Sequence, residues 1–213
     1  MNPQLQTFTK TDVTSAIIRV CTAIQANSEH LTSLDQAMGD GDLGITSSKI
    51  SAALSKYAQE STQTDLGKLL IGAGMETNRA APSTMGTLLA TALLRIGREF
   101  SGKESLDIRD LVNMLIVAGN AIKERGKANI GDKTALDVLI PAGEAFKNAF
   151  ENGMPLPEAA RQLVTAAENG RDQMTPKINR VGRASWLGDR TIGLVDPGCE
   201  MMVVILRAVA NYK

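Results

Sequence analysis

Three aspartates in the first quarter of the chain are placed where they could hold a divalent metal ion. Asp40 and Asp42 alternate with glycines in residues 39–44, and Asp35 lies five positions before Asp40. Glycines on both sides allow a tight backbone turn, so alternate carboxylates can converge. Crowded carboxylates repel one another by about 4 kcal/mol per pair at ~4 Å, and a divalent cation removes this cost. Hard oxygen ligands favour Mg²⁺ over Zn²⁺.

The residues after these aspartates are predicted to begin a helix at about Gly44. The free N–H groups and the dipole of a helix N-terminus can bind a phosphate, so the metal and the helix together suit a magnesium–nucleotide. A solvated acidic turn and a calcium loop are the alternatives. An EF-hand needs further acidic positions and a closing Glu, which Leu43, Ile45 and Thr46 do not supply.

A second glycine-rich segment, residues 126–134, comes close to a P-loop. It contains GxxxxG, but Asp132 is inserted before Lys133, and a predicted helix rather than a strand precedes it. A P-loop fold is therefore rejected, although Lys127 and Lys133 could still meet a phosphate. The alternative is structural: Gly126 ends one helix in the left-handed conformation and Thr134 caps the next.

These segments lie between stretches with the apolar periodicity of amphipathic helices. The clearest helix covers residues 107–126, with Asp107 as its N-cap. The last helix has Asp196 as its cap and Pro197 in its first turn. Weaker patterns predict helices over residues 11–26, 28–38, 44–59, 64–77, 83–98, 134–152 and 155–174. No sustained period-2 alternation occurs, so we expect an all-α bundle or barrel in one domain, residues 1–213.

Four linkers between the predicted helices are rich in Gly, Ser, Thr, Asp or Arg, the residue types that contact phosphates and metals. They are residues 39–44, 78–86, 126–134 and 177–198. If successive helices pack antiparallel, linkers one helix pair apart gather at the same end of the bundle. The sequence therefore predicts a site at one end of the fold.

The composition excludes several other classes of protein. Of 213 residues, 43% are hydrophobic and 22% charged, and 23 basic side chains balance 23 acidic ones, so nothing favours a nucleic acid or an anionic membrane as partner. Cys21 and Cys199 form no CxxC pair, which favours buried, reduced thiols in a cytoplasmic protein. Residues 1–10 lack the apolar run of a signal peptide, and no apolar stretch of about 18 residues occurs.

Taken together, these segments resemble the nucleotide-binding L subunit of dihydroxyacetone kinases. The likeness covers nearly the whole chain and comes in the order and spacing of that family. It rests on Leu-Asp at 34–35 with Gly-Asp-Gly-Asp at 39–42, Arg-Gly-Lys-Ala at 125–128 with Gly-Asp-Lys-Thr at 131–134 and Asp137, and residues 182–190 with Gly193 and Asp-Pro-Gly at 196–198.

The resemblance implies a barrel of eight antiparallel amphipathic helices with ADP or ATP at one end. It implies that Asp35, Asp40 and Asp42 hold two Mg²⁺ ions and that Arg183 lies near the phosphates and assists transfer. Ser83 and Thr84 would act as donors at a neighbouring helix start. The other implied nucleotide contacts are Leu43, Gly44, Ile45 and Thr46 at the phosphates, Gly126 and Ala135 near the base or ribose, and Asp196, Pro197 and Gly198 at the nucleotide's edge.

The resemblance also implies a kinase reaction shared with other subunits. A partner would hold the small ketose, a triose or tetrose, as a covalent adduct to a histidine of that partner; His30, the only histidine here, has no family role. A phosphohistidine phosphocarrier could recharge bound ADP, or ATP could exchange. A second copy of the chain is a further candidate partner.

Two departures from the family pattern keep a second function open. Leu43 stands where phosphotransferase-coupled members have histidine, and residues 78–86 replace a glycine-rich turn. Leucine cannot donate a hydrogen bond to a phosphate. The alternative is a nucleotide-carrying regulatory or interaction subunit without its own kinase activity. Trp186, the only tryptophan, could pack over the site, but we expect it to be a buried anchor of the long linker, and His30 to be a surface or interhelical residue.

Overall fold

The described part of the chain, residues 6–211 of a computed structural model, is almost entirely helical. Its α-helices are α1 (Lys10–Ala26), α2 (Ser28–Met38), α3 (Leu43–Glu60), α4 (Leu66–Ala80), α5 (Thr84–Glu99), α6 (Ile108–Gly126), α7 (Leu136–Glu151), α8 (Leu156–Met174) and α9 (Pro197–Val209). A 3₁₀ helix, interrupted at Gly188, spans Arg183–Thr191. The two-residue strands β1 (Phe8–Thr9) and β2 (Ser105–Leu106) pair antiparallel. The all-α class is confirmed; the barrel of eight helices and the single domain stay predictions, and residues 1–5 and 212–213 lie outside the description.

The helix caps foreseen in the sequence are present. The Asp107 carboxylate accepts a hydrogen bond from the Asp110 N–H at 2.9 Å, and Asp110 accepts one from the Asp107 N–H at 3.0 Å. This reciprocal capping box satisfies two donors that have no acceptor inside α6. At α9, Asp196 Oδ1 accepts from the Cys199 N–H at 2.9 Å. Both predicted starts are confirmed.

Two expectations about helix ends are wrong. Helix α4 continues to Ala80 and α5 begins at Thr84, so the linker expected over residues 78–86 shrinks to three residues. Ser83 caps α5 by accepting from the Gly86 N–H at 3.1 Å. Gly126 stays helical, and Lys127 instead takes the left-handed conformation with φ of 50°. Lysine pays a steric penalty there that glycine would not.

The core is formed where the apolar faces of the helices meet, and small residues bring some of them into backbone contact. A side chain at Gly97 of α5 would place its Cβ 2.6 Å from the Gly67 carbonyl oxygen of α4. A Cβ at Gly170 of α8 would lie 2.2 Å from the Asp137 carbonyl oxygen of α7. These close approaches set the spacing of the pairs α4–α5 and α7–α8. Cys21 and Cys199 are buried and unpaired, as predicted, within residues 6–211.

The four polar linkers converge, as the alternation of helix direction predicts. Residues from each of them line one cavity, at the ends of α2, α6 and α8 and the starts of α3, α5, α7 and α9. The helices thus hold the four polar linkers in place, and these linkers lie together at one end of the fold. Across residues 6–211, no helix has the length and apolarity needed to cross a bilayer.

Candidate functional site

The three aspartates predicted to bind metal lie together at the junction of α2 and α3. One carboxylate oxygen of each lies within 4.8 Å of the others. Asp35 Oδ2 also accepts a hydrogen bond from the Leu43 N–H at 3.0 Å, which ties the end of α2 to the start of α3. A Cβ at position 39 would lie 2.7 Å from Asp35 Oδ1, so a larger residue there would displace this carboxylate. Gly41 has φ of +73°, a turn that side chains rarely adopt.

The donor set of this cluster fits a hard divalent cation. All three ligands are carboxylate oxygens, with no nitrogen or sulfur among them, which is the chemistry that Mg²⁺ prefers. The Asp42 side chain makes no capping hydrogen bond to α3, so its oxygens are available. Asp40 forms an ion pair with Arg183 across the mouth of the site. A cation in this cluster would therefore compete with a guanidinium for Asp40.

The acidic cluster opens into a cavity of about 230 Å³. Its polar end carries Asp35, Asp40, Asp42 and Arg183, and Ser83 and Thr84 contribute from the start of α5. Its other walls are largely apolar, formed by Met38, Leu43, Met85, Leu88, Ile122 and Val181. A cavity that combines this charged cluster with a group of apolar side chains, called the apolar slot below, suits a ligand that joins phosphates to a flat ring.

Most of the predicted site residues are brought to this cavity. The lining includes Asp35, Asp40, Asp42, Leu43, Ser83, Thr84, Gly126, Ala135, Arg183, Asp196, Pro197 and Gly198. Gly44, Ile45 and Thr46 do not line it. Gly44 packs against α2, where a Cβ would lie 2.1 Å from the Ser28 carbonyl oxygen, and the Ile45 side chain is exposed. The Thr46 N–H donates to the Asp42 carbonyl at 2.9 Å. Gly44 and Ile45 can contribute only first-turn N–H groups.

Lys133 has a different role from the one expected of it. Its side chain is fully buried, and its ammonium donates to the carbonyl oxygens of Thr191 at 2.7 Å, Lys177 at 2.9 Å and Thr175 at 3.2 Å. Burial lowers the pKa of Lys133, and the nearby Asp196 carboxylate opposes that change. The expectation that Lys133 meets a phosphate is wrong, because the ammonium holds the long linker after α8 in place.

Asp196 has a second partner besides the helix it caps. Asn179 Nδ2 donates to Asp196 Oδ2 at 2.7 Å and to the Lys133 carbonyl at 3.0 Å. Burial raises the pKa of Asp196, while the hydrogen bonds from Cys199 and Asn179 lower it. A Cβ at Gly198 would lie 3.1 Å from both Asp196 Oδ1 and Met85 Cε, so glycine permits the close packing here. This corner of the cavity is polar and closely packed.

Trp186 and His30 both lie at the surface of the fold. Trp186 is 92% exposed, so the expectation of a buried anchor is wrong. It lies on the 3₁₀ helix, two residues after Ala184 of the cavity lining. His30 is a half-exposed residue whose Nε2 lies 3.9 Å from Glu200 Oε1, in keeping with the surface or interhelical place expected.

Sequence reasoning did not single out Asn179, although it lies inside the linker flagged over residues 177–198. The signal was weak because one asparagine among Thr, Pro, Lys and Arg fits any polar loop. Only the fold brings Asn179 against Lys133 and Asp196, which are 46 and 17 positions away. The apolar slot was missed for the same reason, since its residues look like ordinary core positions.

Comparison with known proteins places these features in a family. A model of the DAK2 domain matches residues 37–211. The PEP-dependent dihydroxyacetone kinase, ADP-binding subunit DhaL, of Escherichia coli (strain K12) is 28% identical over 203 residues, which is 95% of this chain and 97% of that protein. The PEP-dependent dihydroxyacetone kinase 2, ADP-binding subunit DhaL, of Listeria innocua is 32% identical over 188 residues, 87% of each chain.

A solved structure shares the fold. The dihydroxyacetone kinase from C. freundii in complex with AMP-PNP and Mg²⁺ aligns with a TM-score of 0.71 and 20% identity, over 97% of this chain and 34% of that one. At 20% identity this alignment supports a shared fold and nothing about function. The resemblance seen in the sequence motifs is confirmed: the chain belongs to the DAK2 domain family.

Proposed function

We propose that this chain is the nucleotide-binding subunit of a kinase that phosphorylates a small ketose, dihydroxyacetone or a related triose or tetrose, held by a partner subunit. The observation that carries the proposal is the cluster of Asp35, Asp40 and Asp42 beside Arg183, at the mouth of a cavity with an apolar slot. Similarity to two proteins named as ADP-binding subunits of dihydroxyacetone kinases supports it.

In this proposal the charged residues position the phosphates. Asp35, Asp40 and Asp42 hold Mg²⁺, two ions by analogy with the family, and bound Mg²⁺ offsets the charge of the phosphate oxygens. Arg183 leaves Asp40 and binds phosphate oxygens through two N–H groups of its planar guanidinium. Mg²⁺ held by the three carboxylates would offset the repulsion among them, which Arg183 now offsets in part.

The remaining cavity residues hold the rest of the nucleotide. The apolar slot takes the base, and the first turn of α3 offers the N–H groups of Gly44 and Ile45 to a phosphate. Thr84 is the first residue of α5, where N–H groups also lack internal acceptors. The Ser83 N–H already donates to the Ala81 carbonyl at 2.8 Å, so Ser83 offers its hydroxyl. Catalysis by this subunit then rests on positioning and charge neutralisation, and the group that accepts the ketose proton belongs to the partner.

The exposed Trp186 supports a partner that closes over the phosphate end. Large exposed aromatic side chains are enriched in protein interfaces and scarce on bare surfaces. Ile45, Ile130 and Ile192 are also exposed, in the segments that form this same end. We infer that the ketose-binding subunit docks here, in the cytoplasm. Bound ADP recharged by a phosphohistidine protein and exchange of free ATP are the two possible sources of the phosphoryl group.

The first test identifies the bound nucleotide and the metal ligands together. The purified protein is denatured, released nucleotide is identified by chromatography, and binding of Mg-ADP and Mg-ATP is measured by calorimetry. Asp42→Asn is the best variant, because the Asp42 side chain makes no capping bond that the change would break. We expect it to weaken magnesium-dependent binding at least tenfold. Asp189→Asn, the same charge change on the exposed 3₁₀ helix, is the matched control and should bind normally.

The outcomes separate the candidate functions. Stoichiometric released ADP supports the phosphocarrier route, whereas no release but Mg-ATP binding supports exchange. Nucleotide binding without phosphoryl transfer in the presence of a ketose-binding subunit favours the regulatory alternative, which the buried apolar Leu43 keeps in view. A chain that binds neither nucleotide overturns the proposal.

A further inference from the structure

Asn179 is a buried polar residue in the cavity wall with one atom left unpaired. The residue is only 3% exposed, and it lines the cavity together with Asp196 and Arg183. Across the described residues 6–211, its carbonyl oxygen Oδ1 is buried without a hydrogen-bond partner. Ser51 Oγ is the other buried side-chain oxygen found in this state there, and it lies in α3 away from the cavity lining. Asn179 is therefore the one that a ligand could complete.

The orientation of the Asn179 amide is fixed by its surroundings. Its Nδ2 donates to two acceptors, the Lys133 carbonyl at 3.0 Å and Asp196 Oδ2 at 2.7 Å. Rotating the amide by half a turn would set Oδ1 against those same two acceptors, which is unfavourable. The backbone N–H of Asn179 donates to Thr191 Oγ1 at 3.1 Å, so the main chain is held as well. The unpaired atom is therefore an acceptor in a fixed position.

The charges around Oδ1 decide which part of a nucleotide it can meet. A carbonyl oxygen next to the Asp196 carboxylate repels phosphate and attracts a hydrogen-bond donor. The groups that suit phosphates, Arg183 and the metal-binding aspartates, form the charged end of the cavity. The uncharged donors of adenosine are its ribose hydroxyls and the exocyclic amine of its base. A buried acceptor without a hydrogen bond is destabilising, so a ligand that supplies a donor to it binds more tightly.

We propose that Asn179 Oδ1 accepts a hydrogen bond from a hydroxyl or amino group of the nucleoside, and that it makes this site selective for nucleotides carrying that group. The inference rests on the proposed function, since it needs a nucleotide in the cavity. Asn179 is here a specificity residue that contacts the ligand, while Lys133 and Asp196 are positioning residues that hold its amide.

The test compares nucleotides that differ by one donor. Calorimetry measures the affinity of the wild-type protein for Mg-ADP, 2′-deoxy-ADP, 3′-deoxy-ADP and IDP, which has an oxygen in place of the exocyclic amine. The same four ligands are measured on Asn179→Ala and Asn179→Ser. We expect wild type to bind one analogue about fivefold more weakly than ADP, the value of one net hydrogen bond. That ratio should fall to about one in both variants, and the missing donor identifies the group that Oδ1 binds.

A ratio of affinities distinguishes recognition from damage to the loop. A variant that merely loosens the linker weakens all four ligands alike and keeps the wild-type ratios, which would overturn the assignment of Asn179. Wild-type affinities equal for all four ligands would overturn it without any variant, and would leave Oδ1 to an ordered water. In both cases tight Mg-ADP binding leaves the proposed function standing. Failure of wild type to bind any of the four overturns the proposed function and this inference together.

Discussion

Among single side chains, Arg183 has two competing partners, the Asp40 carboxylate that it contacts now and the phosphate proposed to replace it. Both side chains are about half exposed, so their ion pair is worth little by itself and is easily exchanged. A guanidinium suits this exchange because its planar fork can grip a carboxylate or a phosphate by two N–H groups. An ammonium would keep the charge and lose the two-point contact.

This argument predicts the effect of Arg183→Lys. The dissociation constant for Mg-ADP, measured by calorimetry, should rise roughly tenfold, because lysine keeps the positive charge but loses the two-point contact with the phosphate oxygens. Arg180→Lys is the matched control, since the Arg180 side chain is exposed and Arg180 contributes only its backbone N–H, to the Asp132 carbonyl at 3.0 Å. Wild-type affinity in both variants would show that the positive charge alone, and not the two-point contact, matters at position 183.

Single residues differ in how well the sequence predicted them. The aspartates were predictable because Asp35, Asp40 and Asp42 are close in sequence and flanked by glycines, so local geometry already brings them together. Lys133 and Trp186 were mistaken because burial depends on contacts far along the chain. Lys133 is buried only because residues 175–191 fold over it, and Trp186 is exposed because the 3₁₀ helix turns it outward.

At the scale of helices, periodicity and caps predicted most of the elements, and nearly all boundaries fell within two residues of those observed. The largest difference, the end of α4, arises because residues 78–80 carry no breaker before Pro82, so the helix runs on to Ala80. The close contact of α4 with α5 was beyond sequence reasoning, because the need for glycine there arises from the facing helix.

That contact predicts a destabilising substitution. Gly97→Ala should lower the free energy of unfolding by about 1–3 kcal/mol, because the new Cβ would lie 2.6 Å from the Gly67 carbonyl oxygen and push α5 off α4. Gly119→Ala in α6 is the control, since its Cβ meets only Ile140 Cγ1, at 3.4 Å. Alanine favours helix over glycine, so Gly119→Ala should leave the melting temperature unchanged or higher. Similar losses in both variants would contradict the close-packing explanation.

The cap of α4 predicts a dependence of stability on pH. The backbone N–H of Lys68, and after it that of Gly102, donate to Asp65 and hold the pKa of its carboxyl below the usual value. The folded chain thus binds this proton less readily than the unfolded chain. The stabilisation is present above about pH 4 and is lost as the pH falls through the folded-state value.

Asp65→Ala should therefore lower the melting temperature at pH 7 and converge with wild type in acid. Thermal unfolding followed by circular dichroism from pH 7 to pH 2 measures the difference. Glu104→Ala removes an exposed acidic side chain of the nearby turn and serves as the control, with a small effect at every pH. A gap between Asp65→Ala and wild type that persists at pH 2 would mean that the carboxylate charge is not the cause.

In the described part of the chain, the polar linkers and the cavity lie at one end of the helices, and Trp186, the only tryptophan of the sequence, lies in one of these linkers. Trp186 is 92% exposed in the fold, so its surroundings resemble those in an unfolded chain. The tryptophan fluorescence of this protein should therefore change when a partner covers Trp186, and should change little when the chain unfolds. The single tryptophan is evident from the sequence, whereas its exposure can be seen only in the folded structure.

We predict that the Trp186 emission maximum barely moves when the protein unfolds in guanidinium, although circular dichroism shows the loss of helix. Addition of a ketose-binding subunit should shift the emission to shorter wavelength, because docking removes water from the indole. Trp186→Phe should abolish the signal and leave the melting temperature unchanged. A native emission already typical of a buried indole would contradict the exposed position.

The direction of the helices separates the site from the two ends of the described fold. Helix α6 runs 19 residues, or about 28 Å, from β2 to the cavity, and β2 pairs with β1, from which α1 begins. Helix α9 starts at the cavity and extends 13 residues, or about 20 Å, away from it. Another polypeptide could therefore be joined before β1 or after α9 without covering the mouth of the cavity. The fold is therefore suited to fusion with another domain at either end of the described chain, because neither end lies at the cavity.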